Sequence, residues 1–259
     1  ARFTHELSSH PLLSLDALAR AATSMNPEHV ECRRATTDRE VAFPHLDRND
    51  QDIAEIIRNI DTANCWVMLR FAEQLPKYRQ LLHDTLAPIM PIVAARTGPM
   101  RDLRAFIFIS SERTLTPFHF DPEYNILFQV SGNKRFTLFP PEAPYLTDAS
   151  QMRLYRDGDN LLGWDESYAA DGVDNHLVPG DALYVPFKAP HRVLVEQGVS
   201  ISISMTWKSD WSLAQDEAHR FNLALHRLGM RPRPTPGWPD SAHGKSIGMK
   251  LLRRIGLSQ

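Results

Sequence analysis

Apolar positions along the chain follow two different periods. In residues 50–60, Ile53, Ile56, Ile57 and Ile60 recur at helical spacing behind a candidate cap at Asp50, which predicts an amphipathic helix. Tyr78, Leu81, Leu82 and Leu86 predict a second helix, interrupted by Pro88, restarting there and ending near Gly98. Between them, CWVMLRF at 65–71 is a dense run of strand type. From Arg104 short strand-like runs take over: 104–110, 125–130, 135–139, 181–186, 191–196 and 200–207. Turn signals separate them, notably Ser131-Gly132-Asn133 and Pro179-Gly180-Asp181. After Trp207 the helical period returns through Ala214, Ala218, Phe221, Leu225 and Leu228, with a start near Asp210 and a stop at Gly229. A Pro-rich stretch at 232–239 then leads to a last short helix ending near Gly256.

This order predicts a mainly β fold with flanking helices. Its expected parts are a helical N-terminal flank with an early strand (1–103), a jelly-roll core (104–209) and C-terminal helices with a basic tail (210–259). A long irregular insertion, 141–175, interrupts the strands. No internal repeat is visible.

Composition narrows the class. With 259 residues, 42% apolar and 23% charged, the chain can bury a large core. Its net charge of -2 gives no general field for nucleic acid or an anionic membrane. The charge is uneven: 226–259 carry seven Lys or Arg against Asp240 alone, and the rest of the chain is acidic. Two distant cysteines, Cys32 and Cys65, offer neither a disulfide framework nor a thiolate zinc site. No apolar run approaches a membrane span, and the first residues lack a signal-peptide pattern. A soluble, cytoplasmic protein is expected.

Among eleven histidines, His119-Phe120-Asp121 forms an H-x-D pair whose side chains a strand would direct to one side. With 31 acids in the chain, one or two such pairs arise by chance; His45-Leu46-Asp47 and His29-Val30-Glu31 share the spacing, and both read as surface or capping residues. His119 and Asp121 differ in setting. They lie between two strand runs, and His191 opens a later strand of the same region and offers a third ligand, with His176 as its rival. Two imidazoles and one carboxylate would occupy one face of an octahedral iron and leave adjacent positions open.

The stretch TPFHFDPEYNILFQVSGNKRFTLFPP (116–141) resembles the first signature of the JmjC and cupin-like 2-oxoglutarate oxygenases, and VPGDALYVPFKAPHRV (178–193) resembles the second. The nearest likeness is to the hypoxia-sensing asparaginyl hydroxylase type. The resemblance implies a double-stranded β-helix of the cupin type. It also implies Fe(II) held by His119, Asp121 and His191, with 2-oxoglutarate as cosubstrate: Lys134 would pair with its distal carboxylate, Thr116 would donate a hydroxyl, and Asn125 would contact it. The implied activity is that of a 2-oxoglutarate-dependent dioxygenase, a hydroxylase acting on a protein or peptide side chain or a small metabolite. A homodimer through the C-terminal helices is a further implication. Thr206 stands before Trp207 where the asparaginyl hydroxylase type has Asn, and no tyrosine is assigned to the cosubstrate. The aromatic residues Phe106, Phe108, Phe136, Tyr184 and Trp207 are expected in the barrel core. Two other readings share these residues: a cupin that binds metal without oxidation, as an isomerase or sugar-binding module, and an interaction protein whose triad is vestigial.

Overall fold

The structure, a computed structural model, describes residues 1–34 and 52–254. Its centre is a nine-stranded, antiparallel, mixed-length sheet rolled into a double-stranded β-helix. The strands are β1 (Arg2–Thr4), β2 (Val30–Arg34), β3 (Cys65–Leu69), β4 (Arg101–Ser110), β5 (Leu115–His119), β6 (Tyr124–Leu138), β7 (Val173–Leu177), β8 (Asp181–Val185) and β9 (His191–Lys208). Their order is β1-β8-β6-β9-β4-β3-β2, with β5 added beside β9 and β7 beside β6.

Two long strands create the roll. The first part of β6, through Gln129, pairs with β8 and with the second part of β9; the remainder, from Lys134, pairs with β7 and with the first part of β9. The expected turn at Ser131-Gly132-Asn133 is therefore no turn. It is a series of register shifts inside one continuous strand, and the break expected between 196 and 200 is likewise absorbed within β9. Gly132 explains the bend: it has φ +66°, and a Cβ there would lie 2.2 Å from the Val199 carbonyl oxygen. The turn at Pro179-Gly180 is present, with the Asp181 amide donating to the Val178 carbonyl.

Period-two alternation along β9 divides the two faces of the sheet. Ile201, Ile203, Met205 and Trp207 point outward into the larger core, and Ser200, Ser202, Ser204 and Thr206 alternate with them. That outer face is covered by α1 (Leu15–Ser24), α2 (Ile53–Arg58), α3 (Ile60–Ala63) and α4 (Pro76–Leu86) through Leu18, Ile57, Ile60 and Leu82. Each such buried side chain contributes roughly 1.5–3 kcal/mol relative to exposure. The Ser14 hydroxyl caps α1 at Ala17, and Asp52 caps α2; the expected cap Asp50 lies outside the described residues, as do His45, Asp47 and Gly256. The first hundred residues also supply β1 and β2, which the apolar pattern does not announce.

The five aromatic residues expected in one core separate. Phe136 belongs to the inner cluster with Leu127, Leu183 and Val193, whereas Tyr184 and Trp207 pack on the helix-covered side. Phe106 and Phe108 are half-buried on the opposite face of β4, beside Phe71 and Trp66.

The segment after β6 contains α6 (Asp148–Asp157), capped by Thr147 and closed by Gly158, and ends in β7. Beyond the barrel, α5 (Met90–Thr97), α7 (Asp210–Arg227) and α8 (His243–Arg254) complete the fold. A Ser209–Ser212 capping box starts α7, and the Phe221 ring packs where α8 carries Gly248.

Candidate metal centre

His119 ends β5 and His191 begins β9, and the two residues face each other in the β5–β9 ladder. Asp121 follows in the short connection to β6. Ligand atoms of these three side chains all lie within 4.8 Å of one another. Asp121 stands 3.9 Å from His119 Nε2 and 3.6 Å from His191 Nε2, through different carboxylate oxygens.

The imidazoles are oriented from behind. His119 Nδ1 lies 2.8 Å from the Pro117 carbonyl, and His191 Nδ1 lies 2.9 Å from the Ala189 carbonyl. A carbonyl only accepts, so both Nδ1 atoms carry the proton and both Nε2 lone pairs face the centre. His191 also stacks on Phe136 with ring centroids 4.8 Å apart. Burial, with the neighbouring His119, pulls the His191 imidazole down to about 4, so it is neutral at pH 7. Two imidazoles and a carboxylate whose ligand atoms converge within 4.8 Å form a donor set that fits a divalent transition metal.

His176, the rival third ligand, lies on β7 opposite Arg135, and its Nδ1 is 3.1 Å from Glu196. It takes no part in this cluster. The His29–Glu31 pair is also accounted for elsewhere: His29 contacts Gln74 and the Phe71 ring, and Glu31 pairs with Arg33.

The register extends the site into the barrel. Leu138 pairs with His191, Phe136 with Val193 and Lys134 with Val195, so Lys134 shares a face with His191 at roughly 13 Å of strand from it. Lys134 is 3% exposed, and its Nζ donates to Ser202 Oγ at 2.7 Å. It has no ion-pair partner among the described residues, and burial alone draws its amine down to about 7. Such a group is not the solvated turn residue that a Lys after Gly-Asn usually is.

Asn125 is placed on the same inner face, opposite Thr206 on β9. Both are buried, and Asn125 Oδ1 and Thr206 Oγ1 lack hydrogen-bond partners. Orphaned polar atoms of this kind are costly unless a ligand satisfies them. Thr116 pairs with Val193 and thus presents its side chain to the same face, where it is partly exposed. An inner face that carries one buried cation with no ion-pair partner among the described residues, together with unsatisfied polar atoms, fits an elongated dicarboxylate.

Sequence reasoning missed three participants. Ser202 and Gln129 appear only as members of an alternating strand, yet Ser202 accepts from Lys134, and Gln129 braces the Gly132 bulge through the Ser131 and Gly132 carbonyls. Asn160, from the insertion, donates to the Phe120 carbonyl and reaches Asp121. Nothing in the local pattern around Asn160 marks it.

The profile of the family described as "Cupin-like domain" matches residues 14–160, which include His119, Asp121 and Lys134 and stop short of His191. Lysine-specific demethylase JMJ30 of Arabidopsis thaliana is 33% identical over 122 residues, covering 44% of this chain and 27% of that protein. Jumonji C domain-containing protein 5 of Drosophila melanogaster is 34% identical over 109 residues, 37% of this chain and 25% of its own. The tRNA wybutosine-synthesizing protein 5 of Danio rerio is 32% identical over 93 residues, 35% of this chain and 28% of its own. The chain thus aligns with about a quarter of the length of these relatives. Among solved structures, Escherichia coli ycfD superposes with a TM-score of 0.54 at 16% identity, over 99% of this chain and 63% of that one. YcfD, a ribosomal oxygenase, in complex with cobalt and 2-oxoglutarate gives 0.51 at 14% identity, over 100% of this chain and 64% of its own. The last two comparisons concern the fold alone. No helix among the described residues is long and apolar enough to cross a membrane. With its profile match over more than half its length and the matching barrel, this chain belongs to the family of cupin-like domains.

Proposed function

We propose that this protein is an Fe(II)- and 2-oxoglutarate-dependent hydroxylase, with His119, Asp121 and His191 as metal ligands and Lys134, Thr116 and Asn125 as cosubstrate contacts. One observation carries the reading: the triad and an unpaired, buried Lys134 share the inner face of one barrel. A metal-binding cupin without oxidative chemistry has no need of that lysine. The relatives named as jumonji proteins and the ribosomal oxygenase in complex with 2-oxoglutarate support the same direction.

When bound, iron(II) with a chelating 2-oxo acid supplies the oxidative activation of O2 that side chains cannot provide. The chain's residues position the reactants. The Pro117 and Ala189 carbonyls fix the imidazole tautomers, and Asn160 steadies Asp121. Lys134, charged and supported by Ser202, neutralises the distal carboxylate of the cosubstrate. Thr116 donates to that carboxylate, and Thr206 and an amide end of Asn125 complete the cradle; the amide's O and N exchange by a flip, so Asn125 can present its donors. The surrounding Leu127, Phe136, Leu183 and Val193 exclude water from the cosubstrate's chain. The prime substrate is a protein or peptide side chain or a small metabolite.

Incubation with Fe(II), ascorbate and 2-oxoglutarate should form succinate slowly without prime substrate, and Asp121→Ala should abolish this. Equal succinate formation by wild type and Asp121→Ala would remove the assignment.

A further inference from the structure

A cavity of about 690 Å3 opens between the β8–β9 turn, α5, α7 and the proline-rich segment, and none of the three metal-site residues lines it. Its volume lies within the range of small-molecule sites. Its floor is polar and buried. Lys188 Nζ lies 2.9 Å from His219 Nε2 and 3.0 Å from Gln151 Oε1, and Gln215 precedes His219 by one turn on the same side of α7. Lys188, Gln215 and His219 are each at most 5% exposed. Gln215 Nε2 has no hydrogen-bond partner, and an ammonium with two acceptors retains a third N–H. Lys188 thus retains one N–H for a ligand, and Gln215 on the lining carries a buried amide donor left unsatisfied. Lys188 is also held at φ +59°, a conformation that a non-glycine residue keeps only when its surroundings impose it.

The walls are aromatic from floor to rim. Tyr124 and Phe187 have centroids 5.2 Å apart, Phe187 meets Trp211 edge-on at 5.3 Å, and Trp211 meets Trp238 edge-on at 5.6 Å. Trp238 is 55% exposed and marks the mouth. An aromatic lining of this kind suits a cation when carboxylates accompany it. Among the described residues no Asp or Glu lines the cavity, while Arg96 and Lys188 do; His219, held neutral by burial and by Lys188, adds an acceptor and no charge. Asp216, a buried acid on α7, is engaged by Lys208 and Tyr155. The sign of the site is therefore positive.

We infer that this cavity binds a small planar organic anion, an aromatic or conjugated carboxylate, with its carboxylate on Lys188 and Gln215 and its ring against the wall formed by Phe187, Trp211 and Trp238. No metal-site residue lines the cavity, and the inference does not rest on the reaction proposed there. Burial holds the Lys188 amine down to about 7, so an entering anion also stabilises its charged form.

Calorimetric titration of the metal-free 259-residue chain with 2-naphthoate, 2-naphthalenemethanol and 2-naphthylmethylammonium tests this. The carboxylate should bind saturably and about tenfold or more tightly than the alcohol, with the ammonium weakest. Lys188→Met and Gln215→Leu should each weaken naphthoate by about tenfold, and the rim variant Trp238→Ala by several-fold with an unchanged melting temperature. Should Lys188→Met fail to fold, Gln215→Leu and Trp238→Ala decide the matter. Asp121→Ala should leave naphthoate affinity unchanged. The inference is overturned by equal affinity for alcohol and carboxylate, by no saturation with naphthoate, by indifference to Gln215→Leu and Trp238→Ala, or by loss of binding in Asp121→Ala, which would move the ligand to the metal centre.

Discussion

Asn160 Nδ2 lies 3.4 Å from Asp121 Oδ1 and 2.9 Å from the Phe120 carbonyl oxygen, so a residue of the insertion holds the carboxylate of Asp121, the proposed metal ligand. The neighbouring backbone repeats the tie: the Leu162 amide donates to the Phe118 carbonyl, and the Phe120 amide to the Asn160 carbonyl. Groups that orient a metal ligand affect affinity without touching the metal. Asn160→Ala should weaken Co(II) binding by about 10-fold or more, read by metal titration.

Lys134→Met should raise the concentration of 2-oxoglutarate required by about 10- to 150-fold, because it removes a charge-assisted contact worth roughly 1.5–3 kcal/mol. Metal affinity should change little. The same variant should lose the proton uptake that accompanies 2-oxoglutarate binding near pH 8, where the buried amine of the free protein is largely neutral and the bound anion restores its charge. Calorimetry in buffers of different ionisation enthalpy reads that uptake, and an unaltered 2-oxoglutarate requirement would make Lys134 a structural residue.

The same lysine and Lys188 shape stability against pH in the metal-free protein. Burial lowers both amines in the folded state from 10.5 to about 7. Between those values the unfolded chain binds more protons than the folded one, so stability rises with pH through this window. Below about 7 both states are protonated and the burial penalty is fully present. The urea midpoint should therefore be higher at pH 9 than at pH 7.5, with each lysine contributing at most about 1.4 kcal/mol per pH unit, and Lys134→Met should flatten the rise.

A homodimer through the C-terminal helices is a proposal that rests on exposed apolar side chains: Leu228 is 72% exposed, Ile247 58% and Leu251 53%. Phe221 is spent on Gly248 within the chain, and Ile255 lies outside the described residues. Light scattering at tens of micromolar should give twice the chain mass, and Ile247→Asp with Leu251→Asp should give the monomer. A wild-type monomer would end this proposal and leave the metal centre untouched.

The parts of the fold legible in the sequence are those where periodicity and burial agree. The amphipathic spacing of Tyr78, Leu81, Leu82 and Leu86 marks α4 because all four are buried. The alternation of Ser and Ile in β9 marks a strand but not its extent, since Gly132 and Gly198 resemble turn residues while serving bends in continuous strands. The short strand β1 escapes notice because all three of its residues are exposed and its pairing with β8 is nonlocal. At the site, spacing alone does not separate His119 and Asp121 from His29 and Glu31 or His45 and Asp47; the strand context does, and it adds His191. Asn160 and Ser202 acquire their roles only through contacts across 39 and 68 residues of chain. The pocket around Lys188 is illegible for the same reason: its walls come from six separated segments.

The most direct measurement for the metal centre is anaerobic absorption of the Fe(II)-loaded protein as 2-oxoglutarate is added. Chelation of the 2-oxo acid beside His119, Asp121 and His191 should give a weak, broad visible band near the green that saturates with 2-oxoglutarate, is absent in Asp121→Ala and requires more cosubstrate in Lys134→Met. A protein that binds Fe(II) through the triad yet shows no such band at saturating 2-oxoglutarate would contradict the proposed cosubstrate and the oxygenase reading with it.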